Sequence, residues 1–194
     1  IKQKIFNHVQ FLIFMKKMQL FMAIFIVSIM IFSVIGFVYT SPDNNNQNSL
    51  DYKGFKFVLN QNNKYQIDIN GNTFIFDYNP NDLSNIDVPE FNLEGDKYYL
   101  IVNYSDVDSN LEYSLGKLGY TLNLLGLRPV LACDNEQNCQ ENLPVKNCNS
   151  NSFYFKKSNL NKVYIDDKCI VIEGDTIGMS KSVDKINLNL INVE

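Results

Sequence analysis

The stretch that decides the fold is "KYYLIVNYSDVDSNLEYSLGKLGYTLNLLGLRPVLAC", residues 97–133. Its first part, "KYYLIVNY" (97–104), is a continuous apolar run, the pattern of a strand covered on both faces. Ser109 followed three residues later by Glu112 has the form of a capping box and predicts a helix start. Leu111, Leu115, Leu118, Leu122 and Leu125 then fall on one helical stripe, and Gly126 ends it. "LRPVLAC" reads as a second strand. A strand, an amphipathic helix and a strand joined by short connections predict a crossover with the two strands parallel. The expected fold class is therefore α/β or α+β.

Downstream, "CDNEQNCQENLPVKNC" (133–148) holds three of the four cysteines, and Cys169 is the fourth. The spacing C-x5-C-x8-C-x20-C has no C-x2-4-C pair to chelate zinc and no C-x-x-C redox motif. Four cysteines allow three pairings. The reading favours Cys133 with Cys139, closing the polar loop, and Cys148 with Cys169, tying the loop's end to the strand "CIVIEG" (169–174). "FYF" (153–155) and "KVYID" (162–166) read as further strands, the latter joined to "CIVIEG" by a tight turn. Asp175 or Thr176 caps a closing helix with Met179, Val183, Ile186 and Leu190 on one face.

Upstream, residues 52–78 alternate. Phe55, Phe57 and Leu59, then Tyr65, Ile67 and Ile69, then Phe74, Phe76 and Tyr78 predict an antiparallel meander, with Asn70-Gly71 as a hairpin turn. "NPNDLSNIDVPEF" (79–91) breaks the alternation and reads as a connection.

Further upstream, Met18 to Tyr39 is 22 residues without a charge, long enough to span the roughly 30 Å of a bilayer core. It predicts a single transmembrane helix contacting lipid through residues 18–39. Lys2, Lys4, Lys16 and Lys17 precede it, which places residues 1–17 in the cytoplasm and the rest outside. Residues 40–51 read as a flexible tether and 52–194 as the extracytoplasmic domain. Met15 offers a natural start, so residues 1–14 are expected either to be an over-extended frame or to form a short interfacial helix. The competing expectation is a cleaved leader that releases the domain near Ser41.

Beyond residue 42 lie all 21 acidic residues and only 13 of the 17 basic ones, a net charge of −8, which is poorly suited to nucleic acid. The only histidine, His8, precedes the apolar run, so histidine-dependent catalysis and histidine metal ligands are not expected in the domain. Asp106, Asp108 and Asn110 just past the first strand of the crossover form a D-x-D-x-N run that would suit a divalent cation. The run departs from a calcium loop at Leu111 and Lys117, and from dehalogenase-type phosphotransferases at Asn110. The plainer reading makes Asp106 and Asp108 helix N-terminal acids. Asn103-Tyr104-Ser105 is a glycosylation sequon that the predicted strand would bury.

The uncharged stem, the tether, the "INGNTFIFDYNPNDL" hairpin, the cysteine loop and "KCIVIEG" together resemble single-pass membrane-anchored proteins of small-genome archaea. That resemblance implies an anchored, cysteine-bearing exterior domain and no particular activity. The expected function is a non-catalytic binding or scaffolding module at the cell surface, with a membrane or surface protein as partner. The alternative is a divalent-metal-assisted hydrolase or transferase using Asp106 and Asp108.

Overall fold

The computed structural model describes residues 25–26, 28–30, 49–137 and 139–193. The chain divides into two compact units, residues 1–46 and 47–194. In the first, residues 25–26 and 28–30 are helical. The rest of the expected anchor over 18–39, the tail 1–17 and the start of the tether lie outside the described residues. Among the described residues no helix is long and apolar enough to cross a membrane.

The second unit is a mixed α/β structure. It opens with a four-stranded antiparallel meander: β1 (Ser49–Tyr52), β2 (Phe55–Leu59), β3 (Tyr65–Ile69) and β4 (Asn72–Phe76), in sequential order. The Asn70-Gly71 turn has φ of 52° and 80°, the left-handed values that this pair tolerates. Lys53-Gly54 does the same between β1 and β2, with φ of 49° and 83°, so the first strand begins at Ser49, inside the stretch expected to be tether. Phe57, Ile67, Phe74 and Phe76 turn one face of the meander inward. Fully burying a side chain such as Phe57 or Phe76 contributes about 1.5–3 kcal/mol.

The second sheet has five strands in the order β6-β5-β7-β9-β8. They are β5 (Lys97–Val102), β6 (Arg128–Cys133), β7 (Ser152–Lys157), β8 (Lys162–Asp166) and β9 (Cys169–Gly174). β5 pairs in parallel with both β6 and β7, β7 pairs in parallel with β9, and only the edge strand β8 runs antiparallel. Helix α1 (Ser109–Leu124) makes the expected crossover from β5 to β6, and α2 (Thr176–Leu190) follows β9. Both helices pack on one face, where Leu100, Val102, Phe153, Phe155, Ile170 and Ile172 meet the leucines of α1 and Met179, Val183 and Ile186 of α2.

Three local expectations are corrected. Asp108, not Ser109, caps α1: its Oδ1 accepts from the N–H groups of Asn110 (3.0 Å) and Leu111 (2.9 Å). A carboxylate one residue earlier satisfies the same orphan donors and leaves Ser109 as the first helical residue. Leu125 lies past the last turn as the C-cap and is exposed, so the buried stripe ends at Leu122. β5 ends at Val102, and Asn103 begins a 3-10 turn in which its Oδ1 accepts from Ser105 N and Oγ, so the sequon is outside the strand.

Among the described residues, the second face of the five-stranded sheet carries no helix. A small cluster of Ile101, Ala132, Cys169 and Val171 lies there under Tyr99, Tyr154 and Tyr164. The polar loop after β6 is held by the disulfides Cys133–Cys139 and Cys148–Cys169, the pairs the sequence favoured. Cys133 N donates to Pro144 O and Lys146 N donates to Cys133 O, so the loop also covers the end of the β6 edge.

Helix α2 departs furthest from the amphipathic pattern read for it. From Ser182 to Leu188 every residue is buried, including Ser182, Asp184, Lys185 and Asn187. Burial therefore extends beyond the face of Met179, Val183, Ile186 and Leu190. The end of the helix enters the core of the meander, where Leu188, Ile191 and Val193 meet Phe57, Phe76 and Leu83.

Candidate functional site

Three places carry charge in arrangements that ask for a role. The first is the carboxyl end of the parallel strands, where the sequence placed its candidates. Asp108 is occupied: besides capping α1 through Oδ1, its Oδ2 accepts from Thr176 Oγ1 at 3.3 Å, linking the starts of the two helices. The hydrogen bond from Leu111 N, with that from Asn110 N, holds its carboxyl below the usual range. Asn110 is exposed on the first turn of α1. Asp106 is half-buried in the preceding turn, and its carboxylate makes no hydrogen bond or ion pair among the described residues. The structure therefore brings Asp106 and Asp108 to the same end of the sheet. Among the described residues, no three His, Cys, Asp or Glu side chains converge to hold a metal.

Beside this turn, on the sheet face without helices, Asp134 at the end of β6 accepts from Tyr154 Oη (3.2 Å) and Asn135 Nδ2 (2.5 Å). Burial, and then the charge of Asp134, pushes the Tyr154 phenol up to about 12. Glu173 accepts from Tyr164 Oη (3.1 Å) and faces Lys162 (3.3 Å) and Lys156 (3.8 Å). Burial opposes its ionisation, but hydrogen bonds from Ser158 and Tyr164 and the nearby ammonium of Lys162 keep it below the usual range.

The second place is a buried charge junction that the sequence did not reveal. Asp77 follows β4, Lys117 projects from the middle of α1 and Asp184 from the middle of α2. Lys117 Nζ lies 2.5 Å from Asp77 Oδ2 and 2.5 Å from Asp184 Oδ1, with the two side chains of that second pair 7% and 0% exposed. Asp184 Oδ2 accepts from the main-chain N–H groups of Asp77 (2.8 Å) and Tyr78 (3.1 Å). Lys64 pairs with Asp77 Oδ1, to which Tyr113 Oη also donates (3.2 Å).

The electrostatics of this group follow from the competition between burial and pairing. Burial pushes the Asp184 carboxyl up to about 6, against the pull of Lys117. Burial opposes the charge on Lys117 and Asp77 as well. For Lys117 the carboxylates outweigh it and raise the ammonium; for Asp77 the two lysines outweigh it and lower the carboxyl. With two carboxylates on one ammonium, the group joins the meander to both helices. Lys117 entered the sequence reading only as a mismatch to a calcium loop, and Asp77 and Asp184 not at all. Nothing local marks them, because their partners are 13 to 107 residues away in the chain.

The third place is the connection between the sheets. After the 3-10 turn Pro80–Leu83, residues 87–93 run without any hydrogen bond, main-chain or side-chain, among the described residues. This strap is held by packing instead. Val88, Phe91 and Leu93 lie partly buried on the main core, with the Phe91 ring 6.2 Å from Phe153 and edge-on to it. From Glu90 to Glu94 the residues alternate exposed and half-buried, the period of an extended chain. Grooves flank it on both sides. One of about 780 Å³ lies between the strap and the end of α2, where Lys185, Asn189 and Asn192 form the far wall. The other, of about 470 Å³, is bounded by Tyr98, Asn151, Asp167 and Lys168.

No protein-family model matches the chain, and no curated protein or solved structure matches it.

Proposed function

We propose that the chain is a single-pass membrane-anchored protein whose domain from residue 47 onward is held outside the cytoplasm and binds other proteins without chemistry of its own. The observation that carries this reading is the strap. A segment with seven consecutive residues free of hydrogen bonds among the described residues, pinned in place by its apolar side chains and flanked by two grooves, is a preformed surface for a partner chain. Asp108, by contrast, already satisfies a helix terminus with one oxygen and Thr176 with the other. The anchor is supported by the uncharged run at 18–39 and by the exposure of Phe25, Ile26, Ile29 and Met30, each more than half open. The exterior placement is supported by the two disulfides, which persist in oxidising compartments.

The second reading, a divalent-metal-assisted hydrolase or transferase, rests on the carboxylate of Asp106, which has no hydrogen bond or ion pair among the described residues, lies two residues before Asp108 and acts with Asp134 on the Tyr154 phenol. The two are separated by titrating the full chain in detergent micelles with calcium, magnesium or manganese while following thermal unfolding. The binding reading expects indifference to all three cations. A rise in midpoint that Asp108→Asn abolishes contradicts it and favours the metal-assisted reading. Fusion of a compartment reporter after Glu194 tests the placement: activity only outside the cytoplasm is expected, and activity only inside it rules the placement out.

A further inference from the structure

We infer that the strap and its two grooves bind an extended, basic segment of a partner protein, main chain alongside main chain; this rests on the protein-binding reading above and specifies its site and ligand class. Three features of the strap point the same way. The first is the open main chain. An extended segment with unpaired N–H and C=O groups is a template for an added strand, in which main-chain hydrogen bonds supply affinity and alternate side chains supply specificity. Pro89 has no N–H to offer, so the pairing row runs from Glu90 to Leu93. Because Phe91 and Leu93 already fix the segment on the core, little ordering cost falls on the strap when a partner arrives.

The second feature is charge. Asp87, Glu90 and Glu94 are exposed carboxylates with no ion pair or hydrogen bond among the described residues. Asp167 adds a fourth on the wall of the smaller groove. The opposing charges are Lys168 on that wall, Lys185 on the wall of the larger groove, which is buried and has a partner of its own, and Lys162 and Lys181, which share a third depression with Asp87 but face Glu173 and the Tyr78 ring. The chain beyond residue 42, at net −8, adds a longer-range attraction for cations. The third feature is Asn189 in the larger groove, whose buried Oδ1 lacks a donor. A ligand rich in donors, with lysine or arginine at alternate positions, satisfies the carboxylates and the orphan acceptor together. At about 3.3 Å per residue, a segment of about six residues spans the strap.

The test uses the full chain in detergent micelles and a fluorescent peptide of about eight residues alternating lysine and valine. A glutamate-valine peptide of the same length is the comparison. Anisotropy is expected to show binding of the basic peptide, weakening at high salt, and none of the acidic one. Asp87→Asn/Glu90→Gln/Glu94→Gln is expected to weaken binding about ten-fold, the size of losing charge-assisted contacts at an exposed rim. Asp51→Asn/Glu136→Gln/Glu141→Gln removes the same charge from exposed positions elsewhere and is expected to change affinity by less than about two-fold. Amide exchange at 90–93 is expected to slow when the basic peptide saturates. The inference is overturned if the two triple variants weaken binding equally, if exchange at 90–93 is unmoved while the peptide binds, or if the basic peptide does not bind. None of these outcomes reproduces a cation-dependent midpoint, so failure of the strap as the site stays distinct from failure of the protein-binding reading.

Discussion

Asp77 and Asp87 lie on the same connection between the two sheets, yet their surroundings are opposite. Asp77 sits under Lys64, Lys117 and Tyr113 in a junction where the charged groups have partners and the main-chain N–H groups of Asp77 and Tyr78 are bound by Asp184. Asp87 opens a strap on which no side chain and no main-chain group has a hydrogen-bond or ion-pair partner among the described residues. The difference separates two uses of charge in one small domain. Buried and paired, charge fixes how the meander docks on the helices; exposed and unpaired, it remains available to another molecule. A buried ion pair is poor evidence of net stability but is costly to break on one side, because the remaining charge is left in a dry site.

The largest effect expected from this contrast comes from the junction. Lys117→Met leaves Asp77 and the fully buried Asp184 without their shared ammonium and is expected to cost about 3–5 kcal/mol in chemical denaturation. A loss below about 1 kcal/mol, the range of an exposed pair, would place the junction with the surface ion pairs and dissolve the contrast.

The pH dependence is next in size. The Asp184 carboxyl, raised to about 6 in the folded protein, holds a proton that the unfolded chain has already lost above its ordinary value of 3.8. The native state then binds more protons than the unfolded one, so this group's contribution makes stability fall as pH rises from about 4 to about 6, by at most about 1.4 kcal/mol per unit. Asp77 has the opposite sign: its lowered carboxyl contributes stability above its ordinary range, lost on further acidification. Denaturation midpoints measured across that window should show a decline in the native protein that is absent in Asp184→Asn.

On the strap the expected effects are smaller and come from packing alone. Phe91→Ala removes a half-buried ring from the main core and is expected to cost about 2 kcal/mol, below the 3–5 kcal/mol of a fully buried phenylalanine. Smallest of all, Asp87→Asn/Glu90→Gln/Glu94→Gln is expected to leave stability within about 0.5 kcal/mol, since those exposed carboxylates make no hydrogen bond or ion pair among the described residues. A loss of several kcal/mol in that variant would mean that the strap's acids serve the fold, as those of the junction do.

Much of the architecture was legible in the sequence because its signals are local. The Asn70-Gly71 turn, the alternation of β2 to β4, the leucine stripe of α1 and the Asp167-Lys168 turn between β8 and β9 each depend on neighbouring residues, and each is found. The disulfide pairs were also readable, one from a short polar loop and the other from the strand it reaches. Sheet order was not readable, since nothing in the residues of β7 says that it lies beside β5 with β9 inserted before β8. The burial of α2 beyond the face of Met179, Val183, Ile186 and Leu190 was not readable for the same reason. Ser182, Asp184, Lys185 and Asn187 are buried by parts of the chain distant in sequence, Asp184 by Lys117 of α1 and by the main chain of Asp77 and Tyr78. The one local hint was composition: among the 15 residues of α2 only Lys181, Asp184 and Lys185 are charged, few for a helix meeting water along one side. The strap was read merely as a connection because Pro80 and Pro89 mark where regular structure stops and not what the intervening main chain leaves unpaired.

The central claim is that residues 87–93 are held by their apolar side chains with their main chain unpaired. Hydrogen exchange of the full chain, read amide by amide without any ligand, tests it most directly. The account predicts exchange at Val88 and at Glu90–Leu93 near the rate of an unstructured chain, while Leu100–Val102 of β5 exchange only when the whole domain unfolds. Protection of the strap comparable to that of β5 would show that its main chain already has partners, and the surface proposed for a binding segment would not exist.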